Sequence, residues 1–236
     1  MLADAAIAPV AFLLADPVRV AILMALSDGR EMAAGELALV AGVTASTASA
    51  HLSKLTASGF IGMRCESRHR FYQLIRPELT RAMEALAVLA PPSTPRTHRQ
   101  ARIGRAVRAA RTCYDHLAGR LGVLLTRALI ERGVLHPDGR QFHLTPVGET
   151  FLSGIGVDLA TARASRRAFA PACLDWSERV PHVAGALGAG LLRVLFEKGW
   201  LKRMPDSRAV QITAAGRRDF EQTFGMMNQE GPVLLR

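Results

Sequence analysis

One stretch of this chain occurs twice. His116-Leu117-Ala118-Gly119-Arg120-Leu121-Gly122 returns as His182-Val183-Ala184-Gly185-Ala186-Leu187-Gly188, and Glu131-Arg132-Gly133-Val134-Leu135 returns as Glu197-Lys198-Gly199-Trp200-Leu201. Leu144-Thr145-Pro146-Val147-Gly148 is matched by Ile212-Thr213-Ala214-Ala215-Gly216, and Cys113-Tyr114-Asp115 by Cys173-Leu174-Asp175. The offset stays near 66 residues over most of the match. Repetition of this kind builds one supersecondary unit twice, and each copy buries its apolar face against the other. Each copy reads as a helix, a short hairpin and a helix capped by Thr145 or Thr213, with turns at Pro137-Asp138-Gly139 and Pro205-Asp206-Ser207. This is a reduced helix-plus-wing. The first 90 residues hold no comparable echo, which confines the duplication to residues 113–154 and 173–224.

Each copy also brings one Cys, one Asp and one His. A local two-fold axis that juxtaposes them would gather Cys113, His116, Cys173 and His182, with Asp115 and Asp175 as outer partners or alternative ligands. Two thiolates and two imidazoles suit a tetrahedral, zinc-like divalent ion. Three other readings stay open: a thiol redox switch, a site for a small organic ligand, and plain packing. In the packing reading each His, just before Ala-Gly, hydrogen-bonds buried backbone, and Cys is a small core residue. The spacing of Cys113 and His116 predicts one helix face, whereas Pro181 predicts a helix break between Cys173 and His182. Cys65, the third cysteine, reads as structural. Three cysteines are not a disulfide framework and fit a reducing cytoplasm.

Apolar residues make up 49% of the chain and aromatics 6%, so aliphatic side chains do the packing, which suits helices. The net charge of +10 calls for an anionic partner, with nucleic acid first and an anionic membrane surface second. Residues 1–89 carry eight basic and eight acidic side chains, and the remainder carries 22 basic against 12 acidic. Ala90-Pro91-Pro92-Ser93-Thr94-Pro95 marks a break between a domain at 1–90 and a basic linker helix at 91–112. Arg96, Arg99, Arg102, Arg105, Arg108 and Arg111 recur every third residue along that helix, as a solvated face or a rail for phosphates. Residues 113–236 follow as a sensor domain. No apolar run is long enough to span a bilayer, and the N-terminus lacks the pattern of a secretory signal.

The first domain reads as helices followed by a hairpin. Leu2 to Leu14 is apolar almost all round, as in a helix buried in a core or against a second subunit. Asp16-Pro17 starts the next helix, and another runs from about Ala33 to Val40. Ala41-Gly42-Val43 is the tight turn of a helix-turn-helix, and Thr44 caps the helix after it. Ala48, Leu52 and Leu55 face the core, while Thr44, Ser46, Thr47, Ser49, Ala50, Ser53 and Lys54 face out. Short outward side chains let such a helix enter a major groove about 12 Å wide. Phe60 to Cys65 and Arg70 to Leu74 read as a β-hairpin whose basic tip, Arg68, His69 and Arg70, would meet phosphate or the minor groove. Pro77 to Leu89 closes the domain as an amphipathic helix.

These segments resemble the ArsR/SmtB family of bacterial repressors over roughly residues 5–90. The resemblance rests on Leu14-Ala15-Asp16-Pro17-Val18-Arg19, Gly35-Glu36-Leu37-Ala38 with Val43, Thr47-x-Ser49-x-His51-Leu52-x-x-Leu55, and Phe71-Tyr72-Gln73-Leu74. It implies a mainly α fold with a small β wing, and a homodimer built on the first and last helices of the domain. It also implies that Thr44, Ser46, Thr47 and Ser49, with Ala50 and His51 behind them, approach double-stranded DNA. The sequence departs from the family's metal sensors: Glu36 to Val40 contains no Cys-x-Cys, and Glu78 to Leu89 contains no His. Ala50 stands where relatives often have Arg or His.

The expectation is a cytoplasmic, dimeric, sequence-specific repressor with an effector-sensing C-terminal domain. One alternative is an architectural DNA-binding protein without an effector. An enzyme fused to a DNA-binding domain is the other. Against it, there is no Gly-rich phosphate loop, nucleophile elbow or His-Glu-x-x-His, and Cys113 with His116 lacks an identifiable oxyanion hole.

Overall fold

The computed structural model describes residues 5–91, 94–95, 97–205 and 207–226. Leu2, Pro92, Ser93, Arg96 and Asp206, which figure in the sequence reading, lie outside the described residues. The chain divides into two units, residues up to Met83 and residues from Glu84 on, apart from 206–208. The division thus falls inside a helix, ahead of the Pro-rich break where the sequence suggested a boundary.

In the N-terminal unit, α1 (Ile7–Leu14) precedes α2 (Pro17–Leu26), whose N-cap Asp16 accepts from the Arg19 N–H at 2.9 Å. β1 (Met32–Ala33) leads into α3 (Ala34–Ala41). Gly42 then turns the chain with a φ of +70°, a left-handed conformation open to glycine at no steric cost. Thr44 caps α4 (Ala45–Ala57) by accepting from the Thr47 N–H at 3.2 Å. Ala48, Leu52 and Leu55 point inward to a core with Ile22, Leu23, Leu26, Leu37 and Ile61. Burying a leucine such as Leu52 contributes about 1.5–3 kcal/mol. β2 (Ile61–Glu66) and β3 (His69–Leu74) form the hairpin, and α5 (Pro77–Leu89) follows. β1 pairs with the far edge of β3, giving a three-stranded antiparallel sheet. Two residues are too few to display strand alternation, so β1 is invisible in the sequence.

Among its described residues α1 buries none, although it is apolar throughout. Ile7 is 68% exposed and Phe12 74%.

In the C-terminal unit, α6 (His98–Ala109) packs on the first copy of the duplication. That copy runs β4 (Arg111–Cys113), β5 (His116–Ala118), α7 (Gly119–Glu131), β6 (Leu135–Asp138), β7 (Gln141–Leu144) and α8 (Pro146–Gly154). A short α9 (Leu159–Ala164) connects to the second copy. This runs β8 (Ala172–Leu174), β9 (Pro181–Val183), α10 (Gly185–Glu197), β10 (Leu201–Arg203), β11 (Val210–Ile212) and α11 (Ala214–Phe224). Thr145 and Thr213 cap α8 and α11 as expected. Leu121, Leu125 and Leu129 of α7 share one core with Leu187, Leu191 and Leu195 of α10.

Each copy opens with a hairpin that the sequence reading did not contain. Cys113 and His116 are cross-strand partners on β4 and β5, and Cys173 and His182 are cross-strand partners on β8 and β9. The helix expected to carry Cys113 and His116 is therefore replaced by a two-residue turn, Tyr114-Asp115, with Tyr114 at a φ of +59°. Pro181 does not break a helix; it is the first residue of β9. Three-residue strands show no periodicity, and a spacing of three fits a tight hairpin as well as a helix face. The two hairpins also explain the one irregularity in the repeat. Two residues separate Cys113 from His116 and eight separate Cys173 from His182, so the cysteine offset is 60 where the histidine offset is 66.

The copies cross over: α10 packs on β5, and α7 packs on β9. The Gly-x-x-Gly common to both lets the start of each helix pack tightly on the chain just before it, and Gly188 also admits the His116 Cβ of the other copy. A Cβ on Gly185, whose φ is +70°, would lie 2.4 Å from the Ala168 carbonyl oxygen. A Cβ on Gly188 would lie 2.8 Å from the Val183 carbonyl oxygen and 3.1 Å from the His116 Cβ. Among the described residues no single helix is long and apolar enough to cross a membrane.

Candidate functional site

The crossing places the four chemistry-bearing side chains together. One ligand atom from each of Cys113, His116, Cys173 and His182 lies within 4.8 Å of the other three. The Nε2 atoms of His116 and His182 are 3.2 Å apart. A tetrahedral zinc ion bound at about 2.0–2.1 Å by two imidazoles separates their nitrogens by about 3.3 Å, so this edge is already set. Cys113, His116 and His182 are buried and Cys173 is partly so. Two thiolates and two neutral imidazoles would leave a dication charge-neutral, the condition for holding an ion away from water.

The electrostatics reflect this crowding. Contact with Cys173, then burial, pushes the Cys113 thiol up to about 12, and the same contact lowers Cys173. Burial opposes charge on His116, but the Cys113 sulfur and the Asp115 carboxylate outweigh it and hold His116 at about 9. Burial dominates at His182 and lowers it.

Asp115 and Asp175 stand behind the imidazoles. Asp115 Oδ1 is 3.6 Å from His116 Nδ1, and Asp175 Oδ2 is 3.5 Å from His182 Nδ1. Asp175 is fully buried and accepts from Arg111 Nη2 at 2.9 Å, the Gly119 N–H at 2.7 Å, and Ser177 Oγ at 2.7 Å. Burial alone would raise its carboxyl, yet Arg111 and these donors hold it down at about 2. Arg111 is thus no member of a solvated stripe. It is 0% exposed on β4, lies over the Trp176 ring at 4.6 Å, and has Glu84 at 3.5 Å. Arg102, Arg105 and Arg108 of α6 do face outward. Sequence reasoning missed Arg111 because it continues the three-residue arginine spacing; its place two residues before Cys113 was the available signal.

On the N-terminal unit, Thr44, Ser46, Thr47, Ser49, Ala50 and Lys54 are exposed along α4, as are Arg68, His69 and Arg70 on the wing. Thr44 Oγ1 is shared with Ser46 at 3.0 Å and Thr47 at 2.9 Å. His51 departs from this group: it is partly buried, with Nδ1 turned to Asp16 at 3.5 Å. Arg64 is held by Glu31 and Glu66. Cys65, expected to be structural, is exposed on the wing.

Comparison with known proteins agrees with the N-terminal geometry. A family model described as a helix-turn-helix domain matches residues 14–64. Over 216 residues the chain is 42% identical to a protein of Bacillus subtilis (strain 168), spanning 92% of this chain and 96% of that one. The chain belongs to the helix-turn-helix-type transcriptional regulators. The relative in question is the uncharacterized HTH-type transcriptional regulator YdfF, and an alignment this long extends into the duplicated half as well.

Solved structures similar to this chain include NolR from Sinorhizobium fredii and HlyU from Vibrio cholerae. NolR is 30% identical with a TM-score of 0.33, covering 36% of this chain and 85% of its own. HlyU is 32% identical with a TM-score of 0.34, covering 38% and 97%. The cadmium metal-sensor CmtR from Mycobacterium tuberculosis is 37% identical with a TM-score of 0.31, covering 38% and 94%.

Proposed function

We propose that this regulator is a homodimeric, sequence-specific repressor whose C-terminal unit binds a thiophilic divalent cation, with zinc as the reference ion, and so sets its affinity for DNA. It acts in the cytoplasm and catalyses no reaction. The observation that carries the metal reading is the convergence of Cys113, His116, Cys173 and His182 within 4.8 Å. DNA contact is assigned to Thr44, Ser46, Thr47, Ser49 and Ala50 of α4, with His51 behind them, and to Lys54 and the basic wing tip Arg68, His69 and Arg70. Pairing is assigned to the uncovered apolar surface of α1. Two copies would then read half-sites about one helical turn apart. The ion regulates by preferring one of two arrangements of the dimer.

A second reading is favoured by the closed, four-ligand character of the centre, which is typical of structural zinc. The two separate in one experiment. Cd(II) titration of reduced protein should give a stoichiometric thiolate-to-metal absorbance in the near ultraviolet, absent from Cys113→Ala/Cys173→Ala. Anisotropy on an operator selected from a random-sequence library should then change with metal. A bound ion with unchanged DNA affinity makes the metal structural, and no absorbance removes the metal reading. Equal affinity for operator and random DNA would leave an architectural protein.

A further inference from the structure

Each imidazole of the centre is backed by a carboxylate, and each carboxylate is held by an arginine distant in sequence. His116 faces Asp115, which is gripped by Arg167 from the approach to β8, through its two Nη atoms. His182 faces Asp175, which is gripped by Arg111 of β4. Both histidines present Nε2 to the shared centre and Nδ1 to the carboxylate, and both Nδ1 atoms are buried without a hydrogen-bond partner at this separation. A carboxylate behind a ligating histidine fixes which ring nitrogen carries the proton and strengthens the other as a donor.

We propose that Asp115 and Asp175 are the positioning residues of the metal centre, and that Arg167, from the segment leading into the second copy, and Arg111, from the first, lock them in place. The proposal rests on the metal reading above. When the ion is bound, each Nδ1–H donates to its aspartate, and the rotation that shortens 3.6 Å and 3.5 Å to hydrogen-bond length also aims Nε2 at the ion. The two relays are unequal. Arg111 and Asp175 are wholly buried, whereas Arg167 and Asp115 are partly exposed to water. The Asp175 relay therefore acts in the lower dielectric and has the greater effect.

The test is zinc affinity by competition with a chromophoric chelator, on full-length Asp115→Asn, Asp175→Asn and wild type, together with ¹⁵N shifts of the histidine rings. Zinc affinity should fall by about 10–100-fold in each variant, more for Asp175→Asn. In zinc-loaded wild type the ring shifts should report Nε2 ligated and Nδ1 protonated. Ligation through Nδ1, or variant affinities within about twofold of wild type, overturns the proposal while leaving the metal site intact. Absence of zinc binding in wild type overturns both. Should Asp175→Asn fail to fold, Asp115→Asn and Arg167→Gln decide, since their side chains are partly exposed.

Discussion

The Nε2 atoms of His116 and His182 meet at 3.2 Å in a buried centre, one from each copy of a duplicated unit. The crossing of the two copies, in which β5 lies against β9, enforces this approach. On the proposed function, zinc bound there would join the halves of the C-terminal unit and stabilise the folded state by mass action, by about 2.7 kcal/mol at a hundredfold excess over Kd. The melting temperature should rise with zinc and fall back with chelator. In His182→Gln the zinc-dependent rise should be lost, and an undiminished rise would place the ion elsewhere.

Zinc affinity should increase with pH. Contact with Cys173 and burial push Cys113 up to about 12, so in the metal-free site it is a protonated thiol near neutrality. An ion bound there would take the thiolate and would have to displace that proton. Each proton released corresponds to about a tenfold gain in apparent affinity per pH unit. His116, held at about 9, must give up its proton as well, so titrations between pH 6 and pH 8 that show no slope would argue against both Cys113 and His116 as ligands.

Cys113 and Cys173 lie in contact, and this predicts redox chemistry that competes with metal. Hydrogen peroxide should convert the two thiols to one disulfide, with the peroxide reduced to two waters. The intact mass should fall by two hydrogens, and thiol titration should leave only Cys65 reactive. Prior loading with zinc should slow the reaction. Oxidation confined to the exposed Cys65 would contradict the assignment.

Arg111→Met should be strongly destabilising. The guanidinium is fully buried against Asp175, and its removal leaves that buried carboxylate without the guanidinium. Breaking a buried pair from one side costs about 3–5 kcal/mol. Urea unfolding provides the measurement, and a decrease below about 1 kcal/mol would mean that water or another group replaces the guanidinium.

The wing should supply affinity without choosing the sequence. Arg68 and Arg70 are exposed at its tip, and removing one arginine–phosphate pair reduces the slope of log K against log salt by about 0.9. Arg68→Ala/Arg70→Ala should weaken operator and random DNA alike and flatten the slope by nearly two. A changed operator preference with an unaltered slope would mean that these arginines read bases.

The helix-turn-helix was legible because its signals are local. Asp16-Pro17, Gly42 and Thr44 begin or end helices through hydrogen bonds within four residues, and Ala48, Leu52 and Leu55 mark the inner face by their spacing. The duplication and the candidate ligand set were legible for a related reason, since a repeated pattern pairs residues that no local rule connects. Legibility ended where strands of two or three residues carry no period, as at β1 and in the hairpins that seat Cys113, His116, Cys173 and His182.

The residue types of the centre, two thiols, two imidazoles and two carboxylates, could be read along the chain, because they are matters of composition and repetition. Three-dimensional packing was needed to establish that Nε2 faces inward, that each Asp stands behind its own His, and that Arg111 is buried against Asp175 instead of lining a solvated helix. Those facts follow from the packing of α10 on β5 and α7 on β9. That packing joins residues some 66 positions apart, such as His116 and His182, and contact over that separation is a constraint written in space and not along the chain.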